Sequence, residues 1–205
     1  MFLLLSALKL NIVMSTIPER KVRAAGVLPY AIVRKSIVLL LGQEKYDPKW
    51  RDSDCWSDFG GRVEKDKDKS ILETAAREFY EESGGVVMSL CDMKQRLQRN
   101  EYALYIDVPQ SKNTFYRMYL VQVPYRNYPE TFAHTTGLLS YLGVEADVVE
   151  KRYLKWYSLA NVKDAIMGEW QTNRYSRKPK FLNRFQDAIR KLLDEHKMEE
   201  LFVRF

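Results

Sequence analysis

Apolar residues gather in short runs along the first part of the chain. Residues 23–33 (RAAGVLPYAIV) and 36–42 (SIVLLLG) are aliphatic and β-branched runs of strand length with a charged turn between them, which predicts a pair of strands. The stretch 43–58 (QEKYDPKWRDSDCWSD) is polar and rich in turn formers and reads as a loop. Further strands are expected at 85–90 (GVVMSL), 102–108 (YALYIDV), 114–123 and 152–158. The run at 114–123 (TFYRMYLVQV) is apolar on both faces, as suits a strand central to a covered sheet.

Helical spacing dominates elsewhere. Ser70-Ile71-Leu72-Glu73 has the S-x-x-E form of a capping box, and Gly84 or Gly85 supplies a stop. Between them Leu72, Ala75, Ala76, Phe79 and Tyr80 share an arc expected to face the core. A short helix is expected near 160–168, and a final amphipathic helix at about 180–196. In the latter Phe181, Phe185, Ala188, Ile189 and Leu192 alternate with Arg184, Arg190 and Lys191. Strands mixed with three or so helices, without an internal repeat or linker, make an α/β or α+β layered fold.

The 205 residues suit one domain, with 46% hydrophobic and 29% charged residues. Residues 21–205 read as that domain, and residues 1–20 as an N-terminal extension open to partial disorder. The leading apolar run is broken by Lys9, lacks a basic n-region and is too short to span a bilayer. Met14 offers a second start that would make residues 1–13 dispensable.

Two cysteines far apart, Cys55 and Cys91, make neither a disulfide framework nor a thiolate zinc site, and the chain reads as intracellular. With only His134 and His196 for imidazole ligands, a metal would be held by carboxylates, which selects a hard ion such as Mg²⁺ or Mn²⁺. A net charge of +6 suits an anionic partner, a phosphorylated metabolite or RNA, and equally an ordinary soluble protein.

The chemistry concentrates at Gly60–Gly85, GGRVEKDKDKSILETAAREFYEESGG. Glu78, Glu81 and Glu82 stand at i, i+3 and i+4 on one arc of the expected helix, with Arg77 able to brace them from the side. No lysine is interspersed at i+4. Carboxylates converging without cationic relief are costly, so a shared divalent cation is expected there.

Gly60-Gly61-x-x-Glu64, followed by Arg77-Glu78-x-x-Glu81-Glu82-x-Gly84, resembles the signature of the Nudix hydrolases. The resemblance implies a single-domain, mixed-sheet α-β-α sandwich. It also implies a pyrophosphohydrolase that uses Mg²⁺ or Mn²⁺ to cleave a nucleoside diphosphate linked to another moiety. Glu81 and Glu82 would be metal ligands with Glu78 beside them, the Gly61 carbonyl would add a ligand, and Arg77 would orient the cluster.

The family pattern G-x₅-E-x₇-R-E-U-x-E-E-x-G-U (U, bulky apolar) is not fully met. Lys69 stands where the first glutamate belongs, the loop after Gly61 is two residues longer, and Gly85 replaces an apolar residue. Glu64, Asp66 and Asp68 are the candidates to stand in for that glutamate.

The family also draws on a downstream glutamate, for which Glu150 is the first candidate and Glu145 the second, each equally readable as a solvated carboxylate. Trp50, Trp56 and Tyr46 are candidates to stack on a base, and packing under a loop explains them as well. Arg174, Arg177, Lys178, Lys180 and Arg184 form a basic segment able to meet phosphates, although a solvated face is the plainer reading.

The expected activity is therefore hydrolysis of a nucleotide-linked diphosphate: an mRNA cap, dinucleotide, nucleotide sugar, nucleoside triphosphate or diphosphoinositol phosphate. The alternative is a non-catalytic Nudix-fold module that binds a nucleotide or RNA, for which Lys69 speaks. An acidic helix serving only as a protein surface ranks last.

Overall fold

A computed structural model describes residues 17–143, 150–170 and 178–195. Among these, seven strands form one mixed sheet flanked by five α-helices. The long β1 (Val22–Val33) is its axis, pairing antiparallel with β2 (Ser36–Glu44) at its far end and with β4 (Phe59–Arg62) at its start. Along its other side it runs parallel to β6 (Thr114–Gln122), which pairs antiparallel with β5 (Leu104–Ser111). The two-residue β3 (Trp56–Ser57) and β7 (Lys151–Ser158) both pair antiparallel with β2.

Each face of the sheet is covered, which makes the α-β-α sandwich expected from the sequence. One face packs Val27, Leu40, Phe59 and Tyr119 against α1 (Ile71–Glu82), α2 (Leu90–Gln98) and α3 (Tyr128–Tyr141). The other packs Leu28, Leu39, Met118 and Leu120 against α4 (Leu159–Met167) and α5 (Asn183–Asp194). β6 is buried on both sides for this reason.

α1 starts as its capping sequence predicts. The Ser70 side chain accepts from the Glu73 N–H (3.3 Å), while Glu73 reaches back to the Lys69 N–H (2.9 Å). It ends at Gly84 and Gly85, both with positive φ, whose N–H groups close onto the Glu81 and Tyr80 carbonyls. Ala75, Ala76 and Phe79 are fully buried, the last edge-on to Phe59 at 5.6 Å. A buried phenylalanine side chain is worth about 2 kcal/mol of apolar burial.

Tyr80, expected on the core arc, is 41% exposed, since about 100° per residue carries it from buried Phe79 to the edge of that arc, where Gly85 packs against its ring. Residues 85–90 form no strand: after the two left-handed glycines the chain turns and Ser89 caps α2, accepting from the Asp92 N–H at 3.1 Å. α2, α3 and the short β3 and β4 are not among the elements that the sequence predicts. The final helix begins at Asn183, with Phe181 in an extended segment beside Trp56. Its apolar residues Phe185, Ala188, Ile189 and Leu192 are buried as expected.

Candidate active site

The acidic arc of α1 lies against β4. Strand alternation sends Phe59 and Gly61 toward α1, and Gly60 toward the α5 face. A Cβ on Gly61 would lie 2.5 Å from Glu78 Oε1, so only glycine lets that carboxylate approach the strand. On the opposite face, a Cβ on Gly60 would collide with the Tyr116 hydroxyl. The Gly60 N–H donates to Glu82 Oε2 at 2.7 Å, and its carbonyl accepts from Arg184 Nη2 at 2.6 Å.

Arg77 is the hub of the outer cluster. Its Nε and Nη2 donate to the two oxygens of Asp68, both at 2.9 Å. Nη1 pairs with Glu81 at 2.9 Å and with Glu64 at 3.3 Å, and Nη2 also meets Glu78 Oε1 at 3.0 Å and the Arg62 carbonyl at 3.1 Å. Asp68 is buried and further accepts from the Glu64 N–H (2.9 Å) and Thr74 Oγ1 (3.0 Å). Burial alone would raise its pKa, but these donors outweigh it and hold the carboxyl below the usual range. Of the three candidates for the missing glutamate, Asp68 thus makes the bidentate contact to Arg77, and Glu64 a longer one.

Glu82 belongs to an inner cluster. Its Oε1 lies 3.1 Å from the Lys151 ammonium, which also pairs with Glu44 and donates to Ser57 Oγ at 3.1 Å. Ser57 in turn donates to Glu44 at 3.0 Å. Burial lowers the lysine's affinity for its proton, but Glu82 and Glu44 more than compensate and keep it charged. On the far side of Gly60, buried Asp58 accepts from the Tyr116 hydroxyl, whose ring lies 4.6 Å from the Arg184 guanidinium.

The relief of charge that the sequence seemed to lack therefore comes from the protein: Arg77 for Glu78 and Glu81, and Lys151 for Glu82. The premise that these glutamates lack a cationic partner is corrected. Among the described residues, no three acidic, histidine or cysteine side chains converge as a ready-made metal cage.

A surplus of negative charge nevertheless remains. Among the described residues, Glu44, Asp58, Glu64, Asp68, Glu78, Glu81, Glu82 and Glu150 gather around Lys67, Arg77, Lys151 and Arg184. Glu78 registers it: burial, with the charges of Glu81 and Glu150, pushes its carboxyl up to about 7 against the pull of Arg77. Such an all-oxygen, net-negative donor set fits a hard divalent ion.

Of the other candidates, Glu150 is exposed and close enough to act electrostatically on Glu78. Glu81 is the exposed member of the helix trio, its side chain 44% accessible. Trp50 is exposed, whereas Trp56 is half-buried edge-on to Tyr157 at 5.3 Å, a packing contact. Lys178 and Lys180 are exposed, and the Lys180 carbonyl accepts from the Trp56 N–H at 2.8 Å. Glu145, Arg174 and Arg177 lie outside the described residues.

Sequence reasoning missed Glu44, Lys151, Asp58 and Tyr116. Nothing in the local pattern marks them, because strand pairing brings them to the site from distant segments.

No family model matches the chain, and no curated protein matches it. Solved structures do. A Nudix hydrolase from M. smegmatis, RenU, superposes with a TM-score of 0.51 at 10% identity, covering 87% of this chain and 88% of that one. A mutT/nudix family protein from Listeria innocua has a TM-score of 0.48 at 13% identity, over 88% and 96%. The NUDIX domain of Shewanella oneidensis NrtR, crystallised with ADP ribose, has 0.47 at 14%, over 88% of each chain. The element order, the strand–loop–helix around Gly60–Gly84 and the superposition on RenU agree: this chain has the Nudix fold.

Proposed function

We propose that the protein is a metal-dependent pyrophosphohydrolase that cleaves a diphosphate linkage in a nucleotide-linked substrate by attack of water. The observation that carries this is the under-neutralised acid cluster on α1, with Glu78 raised to about 7 beside the glycine pair. Glu81 and Glu82, with the Gly61 carbonyl, would hold Mg²⁺ or Mn²⁺, and Glu78 and Glu150 would flank it. The bound ion would polarise the phosphorus and neutralise the leaving phosphate.

The protein's own groups account for the rest. Glu78, close to half-ionised at neutral pH, is suited to take a proton from the attacking water as the new P–O bond forms and the bridging P–O bond breaks. Arg77 fixes Glu78 and Glu81 relative to one another, anchored by Asp68. The Gly60 N–H fixes Glu82. The products are two phosphate-ended fragments, one of them a nucleotide. Exposed Lys178 and Lys180 suit an anionic arm of the substrate, RNA included.

The test is incubation with Mg²⁺ or Mn²⁺ and nucleoside triphosphates, ADP-ribose, NADH, diadenosine polyphosphates, a diphosphoinositol phosphate and capped RNA, with products read by mass. Cleavage reduced at least about 100-fold in Glu81→Gln and Glu82→Gln, with unchanged folding, is expected. Full activity in both variants overturns the site. Metal-dependent nucleotide binding without any cleavage selects the non-catalytic binding module, a reading favoured by the engagement of both Glu82 oxygens by Gly60 and Lys151.

A further inference from the structure

Lys151 is an unusual residue to find within a cluster expected to bind cations. Its side chain is fully buried, and a buried lysine is held only where carboxylates surround it. Two features of the chain are specific to it. The pairing of β7 with β2 runs from Gln43↔Tyr153 directly to Glu44↔Lys151, so Arg152 is an extra residue. That bulge turns Lys151 onto the α1 face, where plain alternation from Trp156 and Leu154 would have put Arg152. Arg152 instead points outward to Asp54 at 3.6 Å. Second, the lysine stem runs across Gly42, where a Cβ would lie 2.9 Å from Lys151 Cγ. A bulge and a glycine together admit one ammonium group between Glu44 and Glu82.

We propose that Lys151 is a resident cation of the site. Its ammonium fills the inner position between Glu44 and Glu82, which a divalent ion would otherwise take, and so confines exchangeable ions to the outer side, toward Glu78 and Glu81. This rests on the reading of the acidic helix as a divalent-ion site. Each carboxylate oxygen has two lone pairs. Glu82 spends one on Lys151 and one on the Gly60 N–H, and is oriented by both before any ion arrives. Lys151 is thus a positioning residue that sets the number and place of the metal ions without touching substrate.

Two measurements without substrate test this. Mn²⁺ binding, followed by electron paramagnetic resonance and calorimetry, should show one more bound ion per chain in Lys151→Ala than in the unsubstituted protein. That additional ion should be lost again in Lys151→Ala/Glu44→Gln. An unchanged number of ions in a folded Lys151→Ala protein overturns the proposal.

Should that variant fail to fold, the unsubstituted protein supplies the answer through its ¹⁵N-labelled lysine ammonium signals. The Lys151 signal should be protected from solvent exchange and should persist at saturating Mg²⁺, whereas its loss on adding Mg²⁺ means that the ion displaces the lysine and overturns the proposal. Neither readout depends on hydrolysis. A protein that cleaves nothing can still bear the inference out, and an active enzyme can still refute it.

Discussion

Glu78→Gln should stabilise the metal-free protein above neutral pH. Burial raises the Glu78 carboxyl from the usual value of 4.5 to about 7, with Glu81 and Glu150 adding to it and Arg77 opposing it. The folded state therefore keeps this proton through a window, roughly pH 4.5 to 7, in which the unfolded chain has released it. Stability accordingly falls as pH rises through that window, and the whole penalty is present above it.

At ~1.4 kcal/mol per pKa unit this penalty is about 3 kcal/mol, and water at the rim of the site reduces it to about 1–2 kcal/mol. Glutamine mimics the protonated acid at every pH. In EDTA at pH 8.5, urea unfolding should find Glu78→Gln more stable by that 1–2 kcal/mol, or about 2–8 °C in Tm. At pH 4.5 the two proteins should nearly coincide. Mg²⁺ should close the gap at pH 8.5 by stabilising the unsubstituted protein more than the variant. A variant less stable than its parent at pH 8.5 in EDTA would refute the reasoning, since Glu78 would then contribute more through Arg77 than its burial costs.

Other substitutions separate the roles of the neighbouring groups. Asp68→Asn removes one side of the buried bidentate pair with Arg77 and should cost about 2–4 kcal/mol in urea unfolding; a loss below about 0.5 kcal/mol would show that Glu64 and Glu81 suffice to hold the guanidinium. Gly61→Ala places a methyl 2.5 Å from Glu78 Oε1, so the carboxylate must move. Hydrolysis should fall at least about tenfold, a barrier change of ~1.4 kcal/mol, and an unaltered rate would mean that the approach of Glu78 to the strand is immaterial. Lys69→Glu should leave the rate within about tenfold, because Asp68 already occupies Arg77; a larger gain would restore importance to position 69.

The parts of the fold legible in the sequence were those whose signal is local. α1 carried a capping box, an apolar arc and a glycine stop within sixteen residues, and each corresponds to an observed contact. β1, β2, β6 and α5 were legible because burial on one or both faces imposes periodicity. α3 was not, since only Tyr128 and Phe132 of its fourteen residues are buried and no apolar stripe results. At 85–90 the apolar Val86, Val87 and Met88 imitate a strand, yet they are only half-buried and lead into α2. There the Ser89–Asp92 cap is the local signal of the helix. Tyr80 stands at the edge of the apolar arc, about 100° beyond Phe79, so its helical position alone does not bury it.

The site divides in the same way. Arg77, Glu78, Glu81 and Glu82 lie on one helix, so their mutual arrangement follows from 3.6 residues per turn. Their counter-charges do not. Lys151 lies 69 positions beyond Glu82 in sequence and reaches it only through a bulge in a strand pairing that no local pattern announces.

The glycine pair shows why the motif nevertheless identifies the place. Gly60 makes room for the Tyr116 hydroxyl and the β1 backbone on one face of the sheet, and Gly61 for the Glu78 carboxylate on the other, so a side chain is barred at the first and would displace the carboxylate at the second. The same narrowness exposes both polar groups of Gly60, its N–H to Glu82 from α1 and its carbonyl to Arg184 from α5. A single residue, through the two peptide groups that flank it, thus ties the acidic helix on one face to the C-terminal helix on the other. The acid cluster is held in register with the whole sandwich, and not merely with the loop that bears its motif.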